Sequence, residues 1–183
     1  MSEVRRRREP DSGFTLLEVL IAGAFLALAA CGMSAVLAGS MSMNAVNKET
    51  AQARTAAQRM LEELQNVPTG DIFATFNSIP GDDPLGPATA PGSMFSIHMK
   101  PAAVQVSGMT GRVVFPELLP SGELREDTVD ASLGMPRDLN GDGVIDSSDH
   151  AKDYLLLPVR IEVEWRGLTG DRSYALHTVL LNK

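Results

Sequence analysis

From Val19 to Asn47 no side chain carries a charge, and from Phe14 to Gly39 nearly every residue is apolar. At about 1.5 Å per residue this run is long enough to cross the roughly 30 Å hydrocarbon core of a bilayer as one helix. The stretch therefore predicts a single membrane helix, and the rest of the chain must fold as what that helix carries. Arg5, Arg6, Arg7 and Arg8 stand just before it. A basic cluster on that side keeps a short N-terminus in the cytoplasm and sends the C-terminal part outside.

With 183 residues, the chain has room for one small domain with a real core beside the helix, and not for two. Its formal charge is −7. The first thirteen residues set four arginines against Glu3, Glu9 and Asp11, a net +1, so the remainder stands at −8. Phosphate binding needs a basic face, and none follows the leader, so nucleic acid is not an expected partner. Cys31 is the single cysteine, which excludes an internal disulfide. An extracytoplasmic head would then need some other clip for its loops.

Glu18 stands out, because a carboxylate this early in an apolar helix is costly and usually marks function. Around it the residues read Gly13-Phe14-Thr15-Leu16-Leu17-Glu18-Val19-Leu20-Ile21-Ala22, behind a short basic leader. Position by position this resembles the type IV prepilin signature shared by pilins and pseudopilins. The resemblance implies that a prepilin peptidase cuts between Gly13 and Phe14 and methylates the new Phe14 amine. A residue without a side chain at position 13 suits a bond that must enter a protease site extended. It also implies that Glu18 of one subunit neutralises the Phe14 amine of a neighbour inside a filament, where either charge alone would be prohibitive. Before assembly the partner of the helix is membrane lipid; afterwards it is other pilin or pseudopilin subunits.

A rival signal lies in Leu28-Ala29-Ala30-Cys31, which has the form of a lipoprotein cleavage site. It would make the chain a membrane- or lipid-anchored surface protein that never polymerises. Against it, Glu18 interrupts the apolar region, and the helical pattern runs on well past Cys31. On the prepilin reading Cys31 is a small buried hydrophobe.

Beyond Gly39 the helix turns amphipathic. Ala53, Ala56, Ala57, Met60, Leu61 and Leu64 recur at spacings of three and four, with Lys48, Glu49, Gln52, Arg54, Gln58, Arg59, Glu62 and Glu63 on the other faces. Pro68 and Gly70 end it. Residues 66–93 hold five prolines and predict an irregular connection. Strand signals follow: Phe95, Ile97 and Met99 alternate with Ser96, His98 and Lys100, then Val104 and Val106 lead to a turn at Gly108–Gly111 and on to Val113, Val114 and Phe115. The clearest strand sets Val159, Ile161, Val163 and Trp165 against Arg160, Glu162, Glu164 and Arg166, one face buried and one wet. A turn over 167–171 sends the chain back through 172–181, whose inward face the pattern leaves open.

The expected organisation is a cytoplasmic leader over 1–13, a membrane or filament-core half-helix over 14–39, an amphipathic half over 40–67, and a head over 68–183. The fold class is α+β, a long N-terminal helix packed against a small antiparallel sheet, as in type IV pilins. The expected location is the inner membrane, single-pass, with the head outside, and then a pilus or pseudopilus.

Asp138-Leu139-Asn140-Gly141-Asp142-Gly143-Val144-Ile145-Asp146-Ser147-Ser148-Asp149 is the second motif. It reads as a twelve-residue EF-hand-type calcium loop and resembles the dockerin variant, which closes on Asp. Oxygens at alternate positions converge on Ca²⁺ at about 2.3–2.6 Å while the chain turns sharply at Gly143. Asp138, Asn140 and Asp142 coordinate by side chain, Val144 by its carbonyl, Asp146 directly or through water, and Asp149 closes the site. Ile145 is expected to anchor the loop in the core. Pro136 precludes an entering helix, and a short exiting helix is expected from Ser147 toward Leu155, so this is half an EF-hand, without the paired helices of a sensor. A structural Ca²⁺ clip for the long connection between Pro116 and Pro158 fits better, and some pseudopilins likewise hold a head loop with calcium.

The three histidines, His98, His150 and His177, have no paired ligand spacing, and no nucleophile or nucleotide-loop signature occurs. His150 is expected on a helix surface and Trp165 in the core. No enzymatic activity is expected.

Overall fold

The computed structural model describes residues 14–97, 108–167 and 170–182. The leader with Gly13, the alternation through His98, Met99 and Lys100, and Val104 and Val106 lie outside them. The helix α1 covers Leu16–Asn66, close to the fifty residues expected. A short 3-10 turn at Thr69–Asp71 leads into α2, Ile72–Phe76, and the strands are β1 Met94–Ile97, β2 Met109–Val114, β3 Glu117–Leu118, β4 Glu123–Leu124, β5 Leu156–Gly167 and β6 Gly170–Leu181.

The chain divides into two compact units after Ala45. In the first, every side chain from Phe14 to Asn44 is exposed, including Leu16 at 81% and Phe25 at 68%. This one helix, near the N-terminus, is long and apolar enough to cross a membrane.

In the second unit α1 becomes a packing helix. Ala53, Ala57, Met60 and Leu64 are buried, steps of four, three and four that keep one stripe facing inward. The stripe packs with one antiparallel sheet of order β1-β2-β5-β6. In β5 the inward residues are Leu157, Val159, Ile161, Val163 and Trp165, as the alternation requires. The register pairs Ile161 with Leu176 and Val163 with Tyr174, so the even-numbered residues of β6 turn toward the core and Leu180 is buried there. The inward face of the last strand is thereby fixed.

Three expectations need correction here, and one further element had no sequence signal. The connection after α1 is not irregular throughout: Ile72, Phe73 and Phe76 form a short helix and are fully buried, and Phe73 meets Phe115 edge to face at 5.4 Å. A local apolar i, i+1, i+4 set outweighs the surrounding prolines. Gly108–Gly111 is not a turn, because Met109, Thr110 and Gly111 already pair with Ile97, Ser96 and Phe95. The small hairpin β3-β4 was not foreseen from its two-residue strands. The outer face of β5 is not simply wet, since the segment around Asp130 covers it: Arg160 donates to Asp130 at 2.9 Å and is only 18% exposed, and His177 meets the Ser132 carbonyl at 2.8 Å.

Candidate functional site

The N-terminal motif and the acidic loop are both described from Phe14 onward. Helix α1 opens with a capping box. The Thr15 backbone N–H and hydroxyl each donate to Glu18 Oε2 at 3.2 Å, and the Glu18 N–H donates to Thr15 Oγ1 at 3.2 Å. The Thr-x-x-Glu spacing is itself a helix-start signal in the sequence. Phe14 is 86% exposed. Cys31 lies in mid-helix and is exposed.

The loop 138–149 is held from behind by the head. Leu139 is fully buried, and its carbonyl accepts Leu155 N at 2.7 Å and Leu156 N at 2.9 Å. The anchor is thus Leu139 and not Ile145, whose side chain is 49% exposed; the chain has already turned at Gly143, which points Ile145 outward. Beyond the loop, the His150 carbonyl accepts Asp153 N and Tyr154 N, a single turn in place of the expected exiting helix. At its end Tyr154 is buried and its hydroxyl donates to the Thr69 carbonyl, which draws the chain into β5 before a helix can grow.

Within the loop, Asp138 accepts Gly141 N at 2.6 Å and Gly143 N at 2.8 Å. Asn140 accepts Asp142 N and donates to its carboxylate at 3.2 Å, and Asp142 accepts Val144 N at 2.7 Å. Gly143 has φ +85°, a conformation that favours glycine. These turns gather Asp138 and Asn140, both half-buried, and the exposed Asp142 along one stretch, and an oxygen-only donor set at alternate positions has the chemistry of a hard-cation site. Asp146 and Asp149 are turned to other partners. Asp149 accepts Leu124 N at 3.0 Å and Ala151 N at 3.1 Å. Asp146 accepts Ser148 N at 2.6 Å and meets His150 Nε2 at 3.3 Å.

Among the described residues, the metal-ligating groups that converge within 4.8 Å of one another are Glu126, Asp146 and His150. His150 is not on a helix surface; it is 4% exposed. Glu126 is fully buried. Its Oε1 accepts Leu139 N at 2.6 Å and Asn140 N at 3.2 Å, its Oε2 accepts Asp146 N at 3.2 Å, and its backbone carbonyl accepts Arg137 N at 3.1 Å. One carboxylate therefore ties down both arms of the loop. No sequence signal marked it: in Glu123-Leu-Arg-Glu-Asp it reads as one more surface charge.

The imidazole is enclosed by acids. Nδ1 meets Asp153 at 3.1 Å, and Nε2 faces Asp146 at 3.3 Å and Glu126 at 3.8 Å. Burial opposes the imidazolium, but hydrogen bonds from Asp146 and Asp153 and the charge of Glu126 outweigh it, so its pKa is raised above the ordinary histidine value. The Ser148 N–H, its hydroxyl and then His150 lower the Asp146 pKa.

No protein-family model, no curated protein and no solved structure matches the chain.

Proposed function

We propose that the chain is a type IV prepilin-like subunit, a minor pilin or pseudopilin. On this reading prepilin peptidase cuts at Gly13–Phe14, the head stays outside the inner membrane, and α1 passes from lipid into a pilus, a type II secretion pseudopilus or a related filament. The observation that carries the reading is the two-natured α1: one 51-residue helix whose first stretch, apolar but for Glu18, is exposed on every side while Ala53, Ala57, Met60 and Leu64 lie in the core. Lipid or neighbouring helices can cover such a surface; water alone cannot do so cheaply. The capping box supports it too, because a helix that starts itself at Thr15 does not depend on the leader.

Within this reading the loop takes Ca²⁺ as a clip. Asp138, Asn140, Asp142 and the Val144 carbonyl would hold it, and Asp146 and Asp149 would complete the shell. Calcium supplies no reaction, only a bound state that exists when the head is folded. Glu126 keeps the loop's arms together, and Leu139 fixes the loop to the core.

The decisive experiment is mass spectrometry of the mature chain from cells that contain prepilin peptidase, together with the filament-associated fraction of Glu18→Gln. The reading expects an N-methylated Phe14 and a large loss of assembly in the variant. An acylated Cys31 would replace it with the anchored surface protein, and undiminished assembly of Glu18→Gln would remove the charge-pairing role.

A further inference from the structure

The convergence of Glu126, Asp146 and His150 is not explained by the calcium loop, which uses neither Glu126 nor His150. We infer that these three side chains form a site for a borderline divalent cation of the zinc class, which has only Asp146 in common with the calcium shell. The inference does not rest on the filament reading, and Asp146 is the one ligand for which it competes with the calcium clip.

The donor set points to that class. An imidazole nitrogen with two carboxylates suits Zn²⁺ and its neighbours, whereas calcium takes oxygen only. The spacing is suitable as well. Ligands bound at about 2.0–2.1 Å in a tetrahedron stand roughly 3.3 Å apart. His150 Nε2 lies 3.3 Å from Asp146 Oδ1 and 3.8 Å from Glu126 Oε2, and all three ligand atoms lie within 4.8 Å of one another, so the first edge already fits and the second must close by about 0.5 Å.

The surroundings set the orientation. Asp153 at 3.1 Å from Nδ1 holds that ring nitrogen as the donor, so that Nε2, once it gives up its proton, turns its lone pair toward the two carboxylates, the arrangement that orients metal-binding histidines. Glu126 is fixed by three loop N–H groups and Asp146 by Ser148 N. Glu126 and His150 form a buried wall, while the Asp146 side chain is 43% exposed and leaves a path for the ion and for a water as fourth ligand.

Charge gives an independent reason. Three carboxylates, Glu126, Asp146 and Asp153, face one imidazole, so even an imidazolium leaves two negative charges over. A dication with a neutral imidazole leaves one. Binding exchanges one M²⁺ for the proton on Nε2, which goes to solvent, with no redox step.

The test uses the full chain in detergent, titrated with Zn²⁺ by calorimetry, beside His150→Gln and the surface control His177→Gln. The expected result is one Zn²⁺ per chain, at least tenfold weaker in His150→Gln and unchanged in His177→Gln, with Asp153→Asn weaker by about tenfold as a positioning residue. Equal affinity in His150→Gln, or no binding to the natural chain below millimolar Zn²⁺, overturns the site. Should His150→Gln fail to fold, X-ray absorption of the Zn²⁺-loaded natural chain decides: one imidazole among oxygen ligands supports the site, and a shell without imidazole overturns it.

Discussion

Truncating Glu126 to alanine tests the arrangement of the loop most directly. The substitution removes the acceptor for three backbone donors at once. The Leu139 N–H is fully buried, so it bears the whole penalty of an unsatisfied donor, about 2 kcal/mol. The Asn140 and Asp146 N–H groups are only partly buried, and water offsets much of their loss, leaving about 0.5–1 kcal/mol each. The total of about 3–4 kcal/mol sits at the lower end of what breaking a buried charged pair costs. For a chain of this size that is a fall in Tm of roughly 6–16 °C. The assay is thermal unfolding of the head's β signal by circular dichroism, in chelator so that no bound cation masks the effect. Glu126→Gln keeps the shape and one acceptor oxygen and is expected to lose about half as much. A Glu126→Ala melting point within about 2 °C of the natural chain would show that the loop is not held by this carboxylate.

Two further outcomes follow from the packing and the charges. Ala57→Leu forces extra carbons into a fully buried position of α1 and is expected to cost about 1–3 kcal/mol, whereas Ala51→Leu at an exposed position of the same helix is expected to be neutral; equal melting points for both variants refute the inward stripe. Asp130 has its pKa lowered, first by the Ser132 hydroxyl and N–H and then by Arg160, against burial. A lowered folded-state pKa stabilises above the unfolded value of about 3.9 and is lost as the pH falls through the folded value. The stability difference between the natural chain and Asp130→Asn is therefore expected to shrink below about pH 4, and a difference that stays constant from pH 6 to pH 3 refutes the pairing.

What was legible in the sequence was periodic. The apolar run of α1, the three-and-four spacing of Ala53 to Leu64 and the alternation of Val159 to Trp165 each state a local geometry that the fold keeps. The errors came where a distant partner decides. Ile145 looked like the loop's anchor because an apolar residue at that place suits the motif, but Leu139 reaches the core because β5 begins beside it. His150 looked like a surface residue because its neighbours are polar, and it is buried because Glu126, twenty-four residues earlier, closes over it. Short apolar sets such as Ile72-Phe73-Phe76 were hidden among prolines, which forbid long helices and not single turns.

Two buried carboxylates limit how the head can slip. Glu49, only 6% exposed, lies one turn before Ala53 on the inward stripe and accepts the Trp165 indole N–H at 3.1 Å. Gly167 leaves it room, for a Cβ there would stand 2.7 Å from Glu49 Oε2. Apolar contacts between a helix and a sheet tolerate a shift by one turn, because an alanine stripe offers nearly the same surface at each step. A carboxylate does not, since another register buries it without the indole donor, a loss of about 1–3 kcal/mol. Glu126 does the same for the loop through three donors of fixed spacing. Apolar burial thus draws α1 and the loop onto the sheet, and the two acids select where each of them stops.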